Sequence, residues 1–553
     1  MELNQPKEEK KNKSFLVEAG IISISSFVVK IIGVLFKIPL ANILGKDMGV
    51  FQAAYSLYAM LYMLSTSGLP VAISRLIASA DKRGRDREVE RTFRVALTVF
   101  AVTGVVVTLL MIVLAKPFFS ATDHASSVTA AYVIAPTLLF VCVCSAFRGY
   151  YQGLHNMYPT AIGQLIEAVF KMGLGLGATI WANHMGYAPY IQAAFAICGI
   201  TVGMFVEMVL LFVYRAFGKK RKHGYDCKLT DSTRNIAKRI VIIAFPAMVT
   251  SSALYLSTFI DTVLIKSRLI VGGAGENLAE ELYSAYTSYS TAIADLLPST
   301  FIFPIAVSIL PSVSAAFAIK DWVESNRNIR QSIRISAIIG MPCAAFLAAT
   351  APSCLTLLYA GAFTDYAEIN ALNVASGSLR ILAIGIIFIA IVSTTNALLQ
   401  AVGKIWQPVI SVFIGVGFMG LFEFFGTSGI LGIYAAPASS TIGYLIAALL
   451  NMHFLEKYTT ADLSPVRMFV KPLICAGITF AATFSVYTVF DAILPFGGRI
   501  GALILLLVSG VTAVLCYLFS MLLLRAISAD EVRLLPFGKK IASFLIARKL
   551  LHE

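Results

Sequence analysis

Between residues 15 and 525 the chain repeats one pattern: apolar runs of roughly 20 residues or more, each closed by a short polar connection. Runs such as 95–114 and 500–524 lack the apolar–polar alternation of a barrel strand. In hydrocarbon every backbone amide must find its partner within the segment, so unbroken apolar runs predict helices. The pattern predicts an all-α integral membrane protein with about fourteen transmembrane helices. The spans read 15–40, 48–78, 91–116, 127–150, 158–180, 190–216, 239–267, 282–316, 335–359, 373–402, 407–427, 432–455, 472–493 and 499–525.

The polar connections set the topology. Lys7, Lys10, Lys11 and Lys13 precede span 1; Lys82, Arg83, Arg85 and Arg87 follow span 2; Lys219, Lys220, Arg221 and Lys222 follow span 6. Arg327, Arg330 and Arg334 precede span 9, and further basic residues follow Arg525. With the N-terminus inside, all of these fall on the cytoplasmic side of a cell membrane, as the positive-inside bias requires. Loops of the other parity, such as 117–126 and 181–189, hold almost no basic residues. Both termini are therefore expected in the cytoplasm, and the first span is too long for a cleaved signal peptide.

The longest polar interruption, 217–238, divides the first twelve spans six and six. Pro70-Val71-Ala72-Ile73-Ser74-Arg75-Leu76 in span 2 is echoed by Pro304-Ile305-Ala306-Val307-Ser308-Ile309-Leu310 in span 8. Gln152-Gly153-Leu154 and Pro159 are echoed by Gln400-Ala401-Val402 and Pro408. Both echoes carry the same six-span offset and the same parity, the mark of a parallel repeat with a site between the halves. The expected organisation is a cytoplasmic N-tail (1–14), an N-lobe of helices 1–6 (15–216) and a basic linker (217–238). A C-lobe of helices 7–12 (239–455), helices 13–14 (472–525) and a cytoplasmic amphipathic tail (526–553) follow.

Composition narrows the function. Only 13% of residues are charged and mean hydropathy is +0.80, against about 25% charged in soluble domains. The net charge of +14 gathers on one side of the membrane, which argues for attraction to anionic lipid and against nucleic-acid binding. Most of the eight Cys lie in apolar spans without zinc or disulfide spacing. No H-E-x-x-H, Walker A or nucleophile elbow occurs, so the chain does not read as an enzyme or an ATP-driven pump. No cofactor is expected; coupling to Na+, H+ or the membrane potential is.

Span 1 carries the clearest chemistry. Ala19, Ser23, Ser26, Lys30, Gly33 and Lys37 recur at helical spacing on one stripe of small, hydroxylic and cationic residues. A charge at mid-bilayer costs about 2.5–17 kcal/mol, so such residues face a wet cavity or a partner. Two lysines cannot neutralise each other, so a diphosphate is the fitting ligand, with Gly33 letting its oxygens approach. The competing account has Lys37 snorkelling to the outer surface and Lys30 pairing with a buried acid. Glu167 and Lys171 are spaced for a helical ion pair and are also candidates for gating or ion coupling. Asp295 closes a stripe of Ser284, Ser288 and Thr291 that predicts a hydrated face; Asp261 is its counterpart in span 7, with Lys266 or Arg268 as salt-bridge candidates. Arg75 and Arg148 stand at cytoplasmic span ends, as headgroup anchors or ligand contacts. Glu207 and Glu423 receive no role.

Several strings go beyond hydrophobicity. They include Lys30-Ile31-Ile32-Gly33, Phe36-Lys37-Ile38-Pro39-Leu40, Gly49-Val50-Phe51-Gln52-Ala53-Ala54-Tyr55 and Ser65-Thr66-Ser67-Gly68-Leu69-Pro70. Phe147-Arg148-Gly149-Tyr150-Tyr151-Gln152-Gly153 and Leu399-Gln400-Ala401-Val402-Gly403-Lys404 continue them. The chain resembles the lipid II flippase (MurJ) and stage V sporulation protein B branch of the multidrug/oligosaccharidyl-lipid/polysaccharide (MOP) exporter superfamily. The resemblance implies two pseudo-symmetric six-helix lobes around a cationic cavity, with two C-terminal helices forming a lipid-accessible groove. It also implies an undecaprenyl-diphosphate-linked sugar, lipid II above all, as the cargo of cell-wall biogenesis. The family usually has Arg where this chain has Lys37, and Lys where it has Arg75. Lysine keeps the charge but loses the planar fork that binds phosphate bidentately.

The expected function is flipping of this precursor from inner to outer leaflet by alternating access. Lys30, Lys37, Gly33, Ser26 and Arg75 would bind diphosphate; Asp261, Asp295, Glu167 and Lys171 would gate or couple an ion. Partners are the precursor, the bilayer and cell-wall synthesis proteins, with no nucleic acid. Alternatives are a flippase for another polyprenyl-linked polysaccharide or a sporulation-specific peptidoglycan precursor, and more distantly a multidrug/cation antiporter. A membrane glycosyltransferase would need a carboxylate-rich polar loop that the short outer connections do not supply.

Overall fold

The computed structural model describes residues 5–66, 68–218, 232–298, 300, 313, 314, 316, 317, 319, 321–493, 497–528 and 531; the side chains of residues 5–24 lie outside that description. The chain folds as two compact units, 1–263 and 264–553.

The first unit holds α1 (Gln5–Leu44), α2 (Met48–Thr66), α3 (Leu69–Lys82), α4 (Asp86–Ala121) and α5 (Val128–Gly153). It continues with α6 (Tyr158–Phe170), a π-helical turn (Lys171–Leu176), α7 (Gly177–His184) and α8 (Pro189–Phe217). α9 (Thr233–Val271) passes from the first unit into the second. The second unit adds α10 (Glu276–Ser284), a π-helical turn (Ala285–Ser290) and α11 (Thr291–Leu297). Then come α12 (Trp322–Tyr359), α13 (Ala371–Ala401), α14 (Trp406–Gly426), α15 (Ala435–Tyr458), α16 (Pro465–Ile493) and α17 (Gly498–Leu523).

Among the described residues, 11 helical segments are long and apolar enough to cross a membrane, and one of them, Ser25–Lys82, contains predicted span 2 and residues 25–40 of predicted span 1. The chain is a multi-pass membrane protein. Its outer surface is what lipid requires: Val105, Val106, Leu109 and Val113 on α4, and Leu503, Leu507, Val511, Val514 and Leu518 on α17, are exposed aliphatic residues. In water such a surface would aggregate; in hydrocarbon it costs nothing.

The six-span repeat reappears as a packing order. In the first unit α4 packs on α5, α5 on α8, and α8 on α6 with its π turn. In the second, α12 packs on α13, α13 on α15, and α15 on α14. Each of these pairings joins predicted spans 3–4, 4–6 and 5–6 or their partners six spans later. Small residues make the closest approaches, as expected where lipid offers no hydrophobic drive to association. Gly199 and Gly203 form a G-x-x-x-G face on α8. A Cβ on Gly199 would collide with the Gly175 backbone, and one on Gly203 would lie 2.7 Å from the Glu167 carbonyl. Between α14 and α15, a Cβ on Gly415 would lie 2.5 Å from the Gly443 carbonyl.

Several boundaries differ from the sequence reading. Predicted span 2 (48–78) is two helices, α2 and α3, because Gly68 runs against the Ala244 carbonyl of α9 too closely for any side chain. Pro70, at the start of α3, needs no hydrogen-bond partner for its missing N–H there. Predicted span 5 is interrupted by its π turn, and predicted span 8 begins earlier, at Glu276, with a π turn of its own. The second member of the Pro70–Leu76 echo (304–310) and most of the linker 217–238 lie outside the described residues.

The boundary between the units falls inside α9 rather than in that linker. The reason is packing: Thr262 on α9 donates its hydroxyl to Ser56 on α2 (2.7 Å), and Phe259 stacks on Phe118. Residues 1–14 are not a separate tail from residue 5 onward, since α1 begins at Gln5.

In the second unit α16 and α17 pack on each other and on α12. The chain leaving α17 is then tied down. Ser528 and Glu531 form a reciprocal capping box: the Ser528 N–H donates to Glu531 Oε2 (2.8 Å) and the Glu531 N–H to Ser528 Oγ (3.4 Å). Arg334 of α12 donates to the Ala526 carbonyl (2.6 Å) and sets its Nε 2.7 Å from Glu531 Oε1, an ionic contact without hydrogen-bond geometry. The predicted tail 526–553 therefore starts from a fixed point; 532–553 lie outside the described residues. Glu531→Ala is expected to cost about 1 kcal/mol, the worth of a cap. Hydrogen–deuterium exchange should show faster exchange at Ala526–Ser528 and no change in α4; unchanged exchange there would refute the clamp.

Candidate functional site

Four of the six stripe residues on α1 have described side chains. Lys30 is exposed, Ser26, Gly33 and Lys37 are half-buried, and Phe36 beside them is buried. An added Cβ on Gly33 would meet nothing within 4 Å, so this glycine borders open space. Ala19 and Ser23 belong to the side chains outside the description. Arg75 is exposed on α3, which packs on α4 and α5. No hydrogen bond or ion pair among the described residues joins it to the stripe.

Behind α1 lies a buried ionic cluster. Arg148 of α5 makes a fork-to-fork pair with Glu207 of α8: Nε donates to Oε1 at 2.9 Å and Nη2 to Oε2 at 2.6 Å. Glu207 is fully buried, and Gly163 of α6 makes room for it, since a Cβ there would lie 2.9 Å from Oε1. Glu167 of α6 stands 3.8 Å from the same guanidinium. Lys171, which opens the π turn, lays its ammonium 5.3 Å from the centroid of the Phe36 ring. A stack of aromatic rings on α2 runs alongside: Phe51 on Tyr55 at 5.9 Å, Tyr55 on Tyr58 at 5.7 Å, Tyr58 on Tyr62 at 5.8 Å.

This arrangement corrects three expectations. Arg148 is no headgroup anchor; it is held inside the first unit by Glu207, the acid that had no role. Glu167 forms its ion pair with Arg148 rather than Lys171, because the helix widens into a π turn at Lys171 and the i, i+4 spacing no longer brings the two together. Lys266 bonds Glu280 at 2.6 Å, and Arg268 donates to the Phe424 carbonyl and stacks on its ring; neither serves Asp261.

The acids divide as well. Asp261 is buried on α9, one residue before the Thr262 that binds Ser56. Asp295 is exposed and Thr291 half-buried on α11, but Ser284 and Ser288 of the same stripe are fully buried, so half of the predicted hydrated face is buried in the protein. Ser284 accepts a hydrogen bond from Tyr366 at 3.2 Å. Glu423 is buried and receives the Ser439 hydroxyl at 3.4 Å.

Sequence reasoning missed the Arg148–Glu207 pair. Its signal was present as two charges of opposite sign, Arg148 at the end of span 4 and Glu207 within span 6, with the small residue Gly163 on the helix that packs against α8.

The profile of the polysaccharide biosynthesis protein family matches residues 15–317. Stage V sporulation protein B of Bacillus subtilis is 22% identical over 95% of this chain and 98% of its own length. Lipid II flippase MurJ of the same organism is 22% identical over 72% of this chain and 74% of its own length. A solved structure of lipid II flippase MurJ in its inward closed conformation superposes with a TM-score of 0.66 over 91% of this chain and 99% of that one, at 14% identity, which speaks for a shared fold. With the family profile spanning more than half of the chain and the helical architecture matched along most of its length, this chain belongs to the polysaccharide biosynthesis protein family.

Proposed function

We propose that the chain is a flippase that carries a polyprenyl-diphosphate-linked sugar precursor of the cell envelope, with lipid II as the leading cargo, from the inner to the outer leaflet by alternating access. The observation that carries the reading is the cationic stripe on α1, where Lys30 and half-buried Lys37 flank the open face of Gly33. Diphosphate offers charge and acceptors to both ammonium groups, while the prenyl chain stays in lipid at little cost. Ser26 adds a hydroxyl, and Arg75 supplies a further cation on α3. Asp261 and Asp295 are the proposed carriers of coupling to Na+, H+ or membrane potential. Both chain ends lie in the cytoplasm of a cell-membrane protein on this reading.

The test is transport of fluorescent lipid II in proteoliposomes. Lys30→Ala/Lys37→Ala is expected to lower the flipping rate at least about tenfold, the loss of more than 1.4 kcal/mol of binding, with folded yield unchanged. Normal flipping in that variant would reject the assignment. A second reading is a sporulation-specific precursor, since a relative matched over 98% of its own length is a stage V sporulation protein. Parallel assays with another polyprenyl-diphosphate-linked sugar decide between the two.

A further inference from the structure

Lys171 stands where the ionic cluster meets α1; it feels the charge of Glu167 but forms no direct ion pair with it. Glu207 is engaged at both oxygens by Arg148, and Glu167 turns to the same guanidinium. From α8, Gly199 and Gly203 approach the π turn without a side chain, and the Ala196 carbonyl lies beside Gly175. On α2, Phe51 stands against the Phe36 ring with centroids 6.4 Å apart, and Tyr55 stacks on Phe51. The ammonium of Lys171 rests instead on the Phe36 ring, the weakest kind of partner available to a lysine at this depth.

Phe36 lies three residues after Gly33, so both project from neighbouring turns of one face of α1, roughly 5–6 Å apart at Cβ. The lysine is thus parked one turn from the open face between Lys30 and Lys37, on a flexible four-carbon stem. Its backbone belongs to a π turn, a geometry that recurs at working sites because its hydrogen bonding readily rearranges. The close glycine crossing of Gly175 and Gly199 keeps that turn against α8.

We infer that Lys171 is a third cation of the anion site: it leaves the Phe36 ring and closes on the second phosphate of a diphosphate seated against Lys30, Gly33 and Lys37. The inference rests on the flippase reading and names a residue within it. It makes the site selective for diphosphate over monophosphate, since a charged phosphate oxygen is a far stronger partner than an aromatic ring, and a monophosphate leaves Lys171 on its ring.

The experiment measures binding of farnesyl diphosphate and farnesyl monophosphate to the full-length detergent-solubilised chain by titration calorimetry. Lys171→Met is expected to weaken the diphosphate about tenfold and the monophosphate by less than about threefold, while Lys171→Arg keeps both. A purely structural lysine would shift both ligands together. Phe36→Leu removes the parking ring and is expected to tighten diphosphate binding about threefold, a sign that general damage does not produce; this variant decides the matter if Lys171→Met folds poorly. Unchanged diphosphate affinity in Lys171→Met, or in Phe36→Leu, overturns the inference. Lys30→Ala/Lys37→Ala separates the levels: if it abolishes binding while Lys171→Met leaves it intact, only Lys171 is misassigned; if it too binds normally, the anion site on α1 is wrong.

Discussion

Glu207→Gln is expected to unfold or severely loosen the first unit, at a cost of about 3–5 kcal/mol, the penalty for stripping one partner from a buried ion pair. Glutamine fills the same volume, so packing is kept and the loss reports charge alone. Arg148 would be left with Glu167 at 3.8 Å, a contact too long and too one-sided to replace the two hydrogen bonds of 2.9 and 2.6 Å. Hydrocarbon and protein surround the pair, and Glu207 has no exposure through which water could compensate. Thermal melting in detergent should therefore drop by more than about 5 °C. The double variant Arg148→Met/Glu207→Leu should recover most of that loss, because well-packed apolar residues commonly match a buried pair in stability. A Glu207→Gln protein that melts with the native chain would mean that the pair contributes no net stability.

Gly199→Val is the second large effect. The first atom of the new side chain would overlap the Gly175 backbone and come within 3.0 Å of the Lys171 carbonyl. Neither obstacle is a flexible side chain, so α8 and the π turn must separate. Overpacking of this kind costs about 1–3 kcal/mol per inserted group where neighbours yield, and backbone does not yield readily. Misfolding or loss of membrane expression is expected, measured as the monodisperse fraction after extraction. Gly177→Ala is the control: its Cβ would meet nothing within 4 Å and its φ of −60° suits any residue, so it should be neutral or slightly stabilising. Equal tolerance of both substitutions would refute the close crossing. The Gly415–Gly443 crossing of α14 and α15 holds the corresponding pair of spans in the second unit, so Gly415→Val is expected to behave like Gly199→Val.

Much of the architecture was legible because lipid leaves the chain few options. Twenty or so apolar residues in hydrocarbon must form a helix, so span positions follow from one-dimensional patterns. The stripe on α1 was legible for the same reason: small, hydroxylic and cationic residues at helical spacing stand out in an aliphatic run. Less legible were the interruptions. The break at Gly68 depends on a carbonyl of α9, and the π turns at Lys171 and Ala285 arise where neighbouring elements pack. Ser284 and Ser288 read as a wet face and are dry, because a hydroxyl pattern is the same whether it meets water or the next helix.

The sequence by itself determined that this is a multi-spanning helical membrane protein with two lysines on its first helix, since hydropathy and charge act locally along the chain. Only the tertiary structure decided which charges are spent and which are available. Arg148 and Glu207 lie 59 residues apart and cancel each other. Glu167 is drawn to Arg148, and Lys171 is left on an aromatic ring beside the α1 stripe. Ion pairing depends on distances of a few ångströms between helices, and no periodicity within one helix carries that information.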